Sequence, residues 1–128
     1  MTEITVLCLS ALLNVVAIGV AGASANKDTG VDYNLSPRDR EPGYSVMTGR
    51  LRRAQANHAE NLFFFAVAVL AVWATGSQGV ITATAAWVYL AARIAYIPAY
   101  AYGWTPWRSI IFMFGFVATI VMVLTALF

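Results

Sequence analysis

The residues able to do chemistry in this 128-residue chain fall into two helical stripes and one short motif. The first stripe is Arg50, Arg53, Asn57, Glu60 and Asn61, which on a helix share an arc of about 100°. Arg52 and Gln55 point elsewhere on the same helix. The second stripe is Tyr89, Arg93, Tyr96 and Tyr100, confined to about 60° of helix surface. Arg108 and Ser109 follow it. Arg50, Arg53, Arg93 and Arg108 set four cations against one carboxylate, Glu60. If Glu60 only neutralised Arg53 or Arg93 to hold a bundle together, most of that charge would be left over. An excess of guanidinium groups aimed at a shared cavity suits an anion with several carboxylates, which arginine binds bidentately.

Other polar residues fit this chemistry less well. His58 lies beside the first stripe, and one histidine with no second histidine or nearby cysteine is no metal site. Asn14 reads as an interhelical hydrogen bond rather than a ligand contact. There is no glycine-rich phosphate loop and no nucleophile–His–Asp arrangement.

The elements that must position these stripes are membrane helices. Sixty per cent of residues are hydrophobic, 11% are charged, and mean hydropathy is +0.69. Soluble domains sit nearer about 45–50% and about 25%. That excludes a soluble globular domain, a disordered chain and a nucleic-acid-binding module, and the length bounds the chain to a single domain, 1–128. Eleven of the fourteen charged residues lie between Lys27 and Glu60; only Glu3, Arg93 and Arg108 fall outside. Cys8, the single cysteine, can form no intrachain disulfide.

Ile4 to Asn26 is uncharged, and a span needs about 20 such residues, so the first helix is expected over about 4–25. Its flank, Met-Thr-Glu, lacks the basic residues of a signal peptide and the apolar run is too long, so a retained helix is expected. Residues 26–45 read as a polar loop with no element longer than a turn. Leu62 to Ala74 is too short to cross alone. Nothing breaks the chain back to Gly49, so the second helix is expected over about 46–75. Asn57 and Glu60 then lie inside the membrane and Arg53 at its boundary. The third helix is expected over about 80–102, kinked but not ended by Pro98. The fourth is expected over about 107–128, with Pro106 at its start. The fold class is therefore all-α, an integral membrane four-helix bundle. Lys27, Arg38, Arg40, Arg50, Arg52, Arg53 and Arg108 cluster around the first and third loops. The positive-inside rule puts those loops in the cytoplasm and both termini outside.

Arg50-Leu51-Arg52-Arg53-Ala54-Gln55-Ala56-Asn57-His58-Ala59-Glu60 resembles the second-helix motif R-x-x-R-A-x-x-N-x-x-E of the MAPEG family, the membrane-associated proteins in eicosanoid and glutathione metabolism. Val88 to Tyr100 looks like that family's third-helix motif, and Pro106-Trp107-Arg108-Ser109 is similar to the start of its fourth helix. The resemblance covers essentially the whole chain and is nearest to bacterial members. Ala56 departs from it, standing where some members carry a second arginine, and the Tyr100-to-Arg108 interval differs from that of animal members.

The resemblance implies a homotrimer in a bacterial inner membrane that binds glutathione as cosubstrate at subunit interfaces open to the cytoplasm. It implies glutathione contacts from Arg53, Asn57, Glu60, Arg93, Tyr96 and Tyr100, with Gln55 contributing from its own helix face. Arg108 would stabilise the thiolate, with Ser109 beside it. The implied activity is a glutathione transferase, or a glutathione-dependent peroxidase or isomerase, acting on lipophilic electrophiles among membrane lipids. Two readings from other classes compete. One is a catalytically silent protein that binds a lipid or a partner. The other is a small proton-coupled multidrug exporter. Such exporters carry a lone membrane glutamate in the first helix, whereas the run from Ile4 to Asn26 has none.

Overall fold

Local signals set both ends of the longest helix. Ser45 has extended backbone, and its hydroxyl accepts a hydrogen bond from the Thr48 amide at 3.2 Å, capping α3 (Val46–Thr75). Gly76, at φ 70°, closes α3 in the left-handed conformation that favours glycine. The computed structural model describes residues 2–128 and adds α1 (Thr2–Thr29), α2 (Val31–Leu35), α4 (Val80–Ala101) and α5 (Trp107–Leu127). α1, α3, α4 and α5 are each long and apolar enough to cross a membrane, and among the described residues no strand occurs. The chain is a membrane four-helix bundle. Pro98 lies inside α4 without ending it, as expected.

One detail differs from the sequence expectation. The region 26–45 is not without structure, because α1 continues to Thr29 and α2 follows it. The extension has a partner: Asp28 accepts hydrogen bonds from the Ser45 amide at 2.8 Å and the Thr48 hydroxyl at 2.5 Å. The end of α1 is thereby pinned to the start of α3. α5 begins at Trp107, directly after Pro106.

The bundle has two unlike halves. Phe65, Val69 and Val72 of α3, Ala86, Tyr89 and Leu90 of α4, and Ala118 and Met122 of α5 form an apolar core with Val6 of α1. Phe65 stacks on Tyr89 with ring centroids 3.8 Å apart. At that end the buried Glu3 carboxylate accepts from the Thr82 hydroxyl in the first turn of α4, where a negative charge meets the positive end of the helix dipole. Toward the other end α1 turns Ala17, Ala21 and Ala25 inward, and α3 turns in Ala54; small residues let the two backbones approach closely. Small side chains there leave the volume to long polar ones from α3, α4 and α5.

Candidate functional site

Arg93 is the largest fully buried side chain, only 1% exposed, and it projects from α4 into the middle of the bundle. Its Nη2 donates to Asn57 Oδ1 at 2.9 Å and its Nε to His58 Nδ1 at 3.3 Å. The Tyr96 ring lies 4.3 Å from its guanidinium carbon. Among the described residues, every one of these partners is neutral. A guanidinium stays charged in proteins, and a buried cation without an anion is costly. A buried guanidinium among neutral groups is suited to an anionic partner.

Two of the groups that touch Arg93, Asn57 and Tyr96, line a pocket of about 270 Å³ together with Arg108, Ser109, Phe112 and Met113. Asn57 comes from α3, Tyr96 from α4 and the rest from α5, so no single element could build it. Tyr100 joins the neighbouring cations. Arg53 Nε donates to its hydroxyl at 2.9 Å, and the Arg53 and Arg108 guanidinium carbons lie 5.7 and 4.7 Å from its ring centroid. Arg50 donates to the Ala101 carbonyl at 3.4 Å, tying α3 to the last residue of α4. Three guanidinium groups, from Arg53, Arg93 and Arg108, thus converge on Tyr96 and Tyr100. Arg53 is exposed and Arg108 half-buried, whereas Arg93 is buried.

The sequence stripes meet here in part. Asn57, Tyr96, Arg108 and Ser109 line one pocket, and Arg53, Arg93 and Tyr100 adjoin it. Glu60 is exposed on the same α3 face but does not line the pocket, and neither Arg53 nor Arg93 takes it as a partner. Gln55 turns toward α1, where its amide donates to Asn14 Oδ1 at 3.4 Å. That contact gives Asn14 the interhelical role expected of it. Gln55 also lines a separate cavity of about 360 Å³ with Ile18, Gly22, Arg52 and Arg53. Tyr89, on the same stripe as Arg93, faces the apolar core instead.

Three residues of the site were not singled out from sequence. Phe112 and Met113 line the pocket, one helical turn beyond Arg108 and Ser109, and their positions on α5 were a usable signal. His58, set aside because it could not ligate a metal, is fully buried against Arg93. Its other ring nitrogen lies 3.0 Å from the Ser10 carbonyl of α1.

A family model described as the MAPEG family matches residues 2–128 of the chain. Neither the curated proteins nor the solved structures contain a significant match.

Proposed function

This chain belongs to the MAPEG family, and from that membership we propose that it is a membrane-bound glutathione transferase, or a glutathione-dependent peroxidase or isomerase, that attacks lipophilic electrophiles with an arginine-stabilised thiolate. The observation that carries the reading is the buried Arg93, held by neutral groups of which Asn57 and Tyr96 line a pocket with Arg108, near Arg53. Glutathione brings two carboxylates, one ammonium and one thiol. Its carboxylates supply the anion that Arg93 and Arg53 lack, with charge-assisted hydrogen bonds roughly twice as strong as neutral ones. Tyr96, Tyr100 and Asn57 hold those guanidinium groups in place and offer further polar contacts.

Arg108 is the group we assign to sulfur. A thiol with a pKa of about 8.5 is only a few per cent ionised near neutral pH. Lowering that value by about two units needs roughly 2.7 kcal/mol of preferential stabilisation of the thiolate. A single guanidinium in a partly dry site supplies an effect of that size. The Ser109 hydroxyl, on the same pocket wall, can donate a second hydrogen bond to the sulfur. The thiolate then attacks the electrophilic carbon and displaces its leaving group, or opens a strained or peroxidic bond. An electrophile dissolved in the bilayer reaches the pocket past Phe112 and Met113.

Two features of the assembly belong to the same proposal. The chain forms a homotrimer, in which Glu60 and Gln55 on the outer surfaces of α3 meet glutathione at a subunit boundary. Glu60 pairs with its ammonium. The site faces the cytoplasm, because the basic residues lie at the end of the bundle that carries the first and third loops. The decisive experiment uses detergent-purified protein and measures glutathione binding by calorimetry and conjugation to a generic aryl halide. Saturable binding with turnover supports the reading. Binding without turnover against aryl halides, hydroperoxides and endoperoxides would make the protein a silent binder. Absence of binding would remove glutathione altogether.

A further inference from the structure

The contacts of His58 determine its chemical state. Arg93 has only donors, so the ring nitrogen facing it, Nδ1, must present a lone pair. The Ser10 carbonyl has only lone pairs, so the nitrogen facing it, Nε2, must carry the proton. One form of imidazole satisfies both neighbours: the neutral ring with hydrogen on Nε2. The other neutral tautomer sets lone pair against carbonyl at one end and donor against donor at the other. The doubly protonated ring keeps the Ser10 bond but turns an N–H, and a positive charge, toward a guanidinium.

The arrangement also joins elements. Ser10 is fully buried in α1, and its hydroxyl donates to the Val6 carbonyl at 2.8 Å, so the carbonyl that His58 meets sits on a well-packed stretch of helix. α1 supplies nothing to the pocket lining, yet through His58 it sets where the Arg93 Nε–H can point. With Nε committed to His58 and one Nη2 hydrogen to Asn57, the plane of the guanidinium is defined by two side chains on successive residues of α3. Its other hydrogens are left for a ligand.

We infer that His58 is a positioning residue for Arg93: a neutral imidazole, protonated on Nε2, that anchors on the Ser10 backbone and orients the buried guanidinium to receive the ligand's carboxylate. This rests on the reading that glutathione is that ligand. His58 does not itself line the pocket, and its side chain acts through Arg93.

His58 is the single histidine of the chain, so labelling with ¹⁵N-histidine gives an imidazole spectrum that needs no assignment. The expected spectrum of the trimeric protein in lipid at neutral pH shows one protonated nitrogen, Nε2, and one bare nitrogen, Nδ1. The Nδ1 signal should shift in Arg93→Met. A proton on Nδ1, or an Nδ1 signal indifferent to Arg93→Met, overturns the pairing whether or not glutathione binds. Two amide replacements then separate the contacts. Asn at position 58 can keep an acceptor near Nδ1 but cannot reach Ser10, whereas Gln can reach Ser10 but not satisfy Arg93. His58→Gln should weaken glutathione binding by about tenfold, the scale of a lost hydrogen bond to a charged group, with turnover at saturating glutathione changed far less. His58→Asn should bind at least about fivefold more tightly than His58→Gln. In an Arg93→Met background the two replacements should become equivalent, since an effect that travels through Arg93 vanishes with it. Equal losses in the wild-type background, or undiminished losses without Arg93, would mean that His58 only fills space. If the wild-type protein binds no glutathione, the functional reading fails, and the imidazole spectrum still decides the pairing.

Discussion

Arg108 and Glu60 should fail in opposite ways, because they are assigned to opposite ends of the same ligand. Arg108→Ala removes a charge that matters most when sulfur is anionic. Glutathione affinity should stay within a few-fold while turnover falls by about 10²-fold or more, the scale of losing one well-placed donor to developing charge. Thiolate absorbance of bound glutathione near neutral pH reports this directly. An unchanged thiolate signal with unchanged turnover would pass the activating role to Arg93, Ser109 or Tyr100. Glu60→Ala should instead weaken binding by about tenfold or more and spare turnover at saturation, because it leaves an ammonium unpaired in a low-dielectric site. The dissociation constant is the measurement, and equal affinity would detach Glu60 from the ligand. At this scale helical spacing was informative. Arg53, Asn57, Arg93, Tyr96 and Tyr100 share the two stripes, and in the structure hydrogen bonds and ring contacts link them across α3 and α4. His58 was not found, because its partners, Ser10 and Arg93, lie on two other helices.

Between elements, Gly115 decides how closely α5 approaches the α4 face that carries the site. A Cβ there would lie 3.4 Å from Ala92 Cβ, 3.6 Å from Arg93 Cδ and 3.8 Å from Tyr89 Cδ2. Alanine fits with slight adjustment. The two further methyl groups of valine must push α4 and α5 apart or displace the Arg93 side chain, an overpacking cost of about 1–3 kcal/mol. Gly115→Val should therefore lower the thermal midpoint in detergent and weaken glutathione binding, while Gly115→Ala does neither to a comparable degree. Thermal unfolding read by tryptophan fluorescence, with and without glutathione, checks both effects. A Gly115→Val protein as stable and as tightly binding as wild type would show that the α4–α5 spacing is not critical. The chain pattern announced the helices themselves, since uncharged runs of spanning length have few alternatives. It did not announce the extension of α1 through Lys27 and Asp28, which depends on Ser45 and Thr48 arriving beside Asp28.

For the molecule as a whole, the proposal to test is the homotrimer, in which neighbouring copies would complete each site. Native mass spectrometry in mild detergent should show mainly trimer, and a spectrum dominated by monomer or dimer would refute the shared site. Sidedness is testable separately. In a protein with Cys8 replaced by serine, Arg40→Cys should react with an impermeant maleimide only from the cytoplasmic side and Gln78→Cys only from outside. The reverse pattern would overturn the charge-based orientation and put the pocket in the wrong compartment.

Composition, charge placement and helical period were enough by themselves to specify a membrane four-helix bundle and its polar faces. These are local properties: hydrocarbon thickness sets the length of a span, and 3.6 residues per turn set which residues share a side. The pairing of those faces is not local. That Arg93 lies buried in contact with Asn57 and His58, that Gln55 turns to Asn14 while Asn57 meets Arg93, and that Glu60 stays exposed outside the pocket lining all follow from how the helices rotate and pack. Rotation is chosen by small residues such as Ala17, Ala21, Ala54 and Gly115, whose effect appears only once a partner helix is in place.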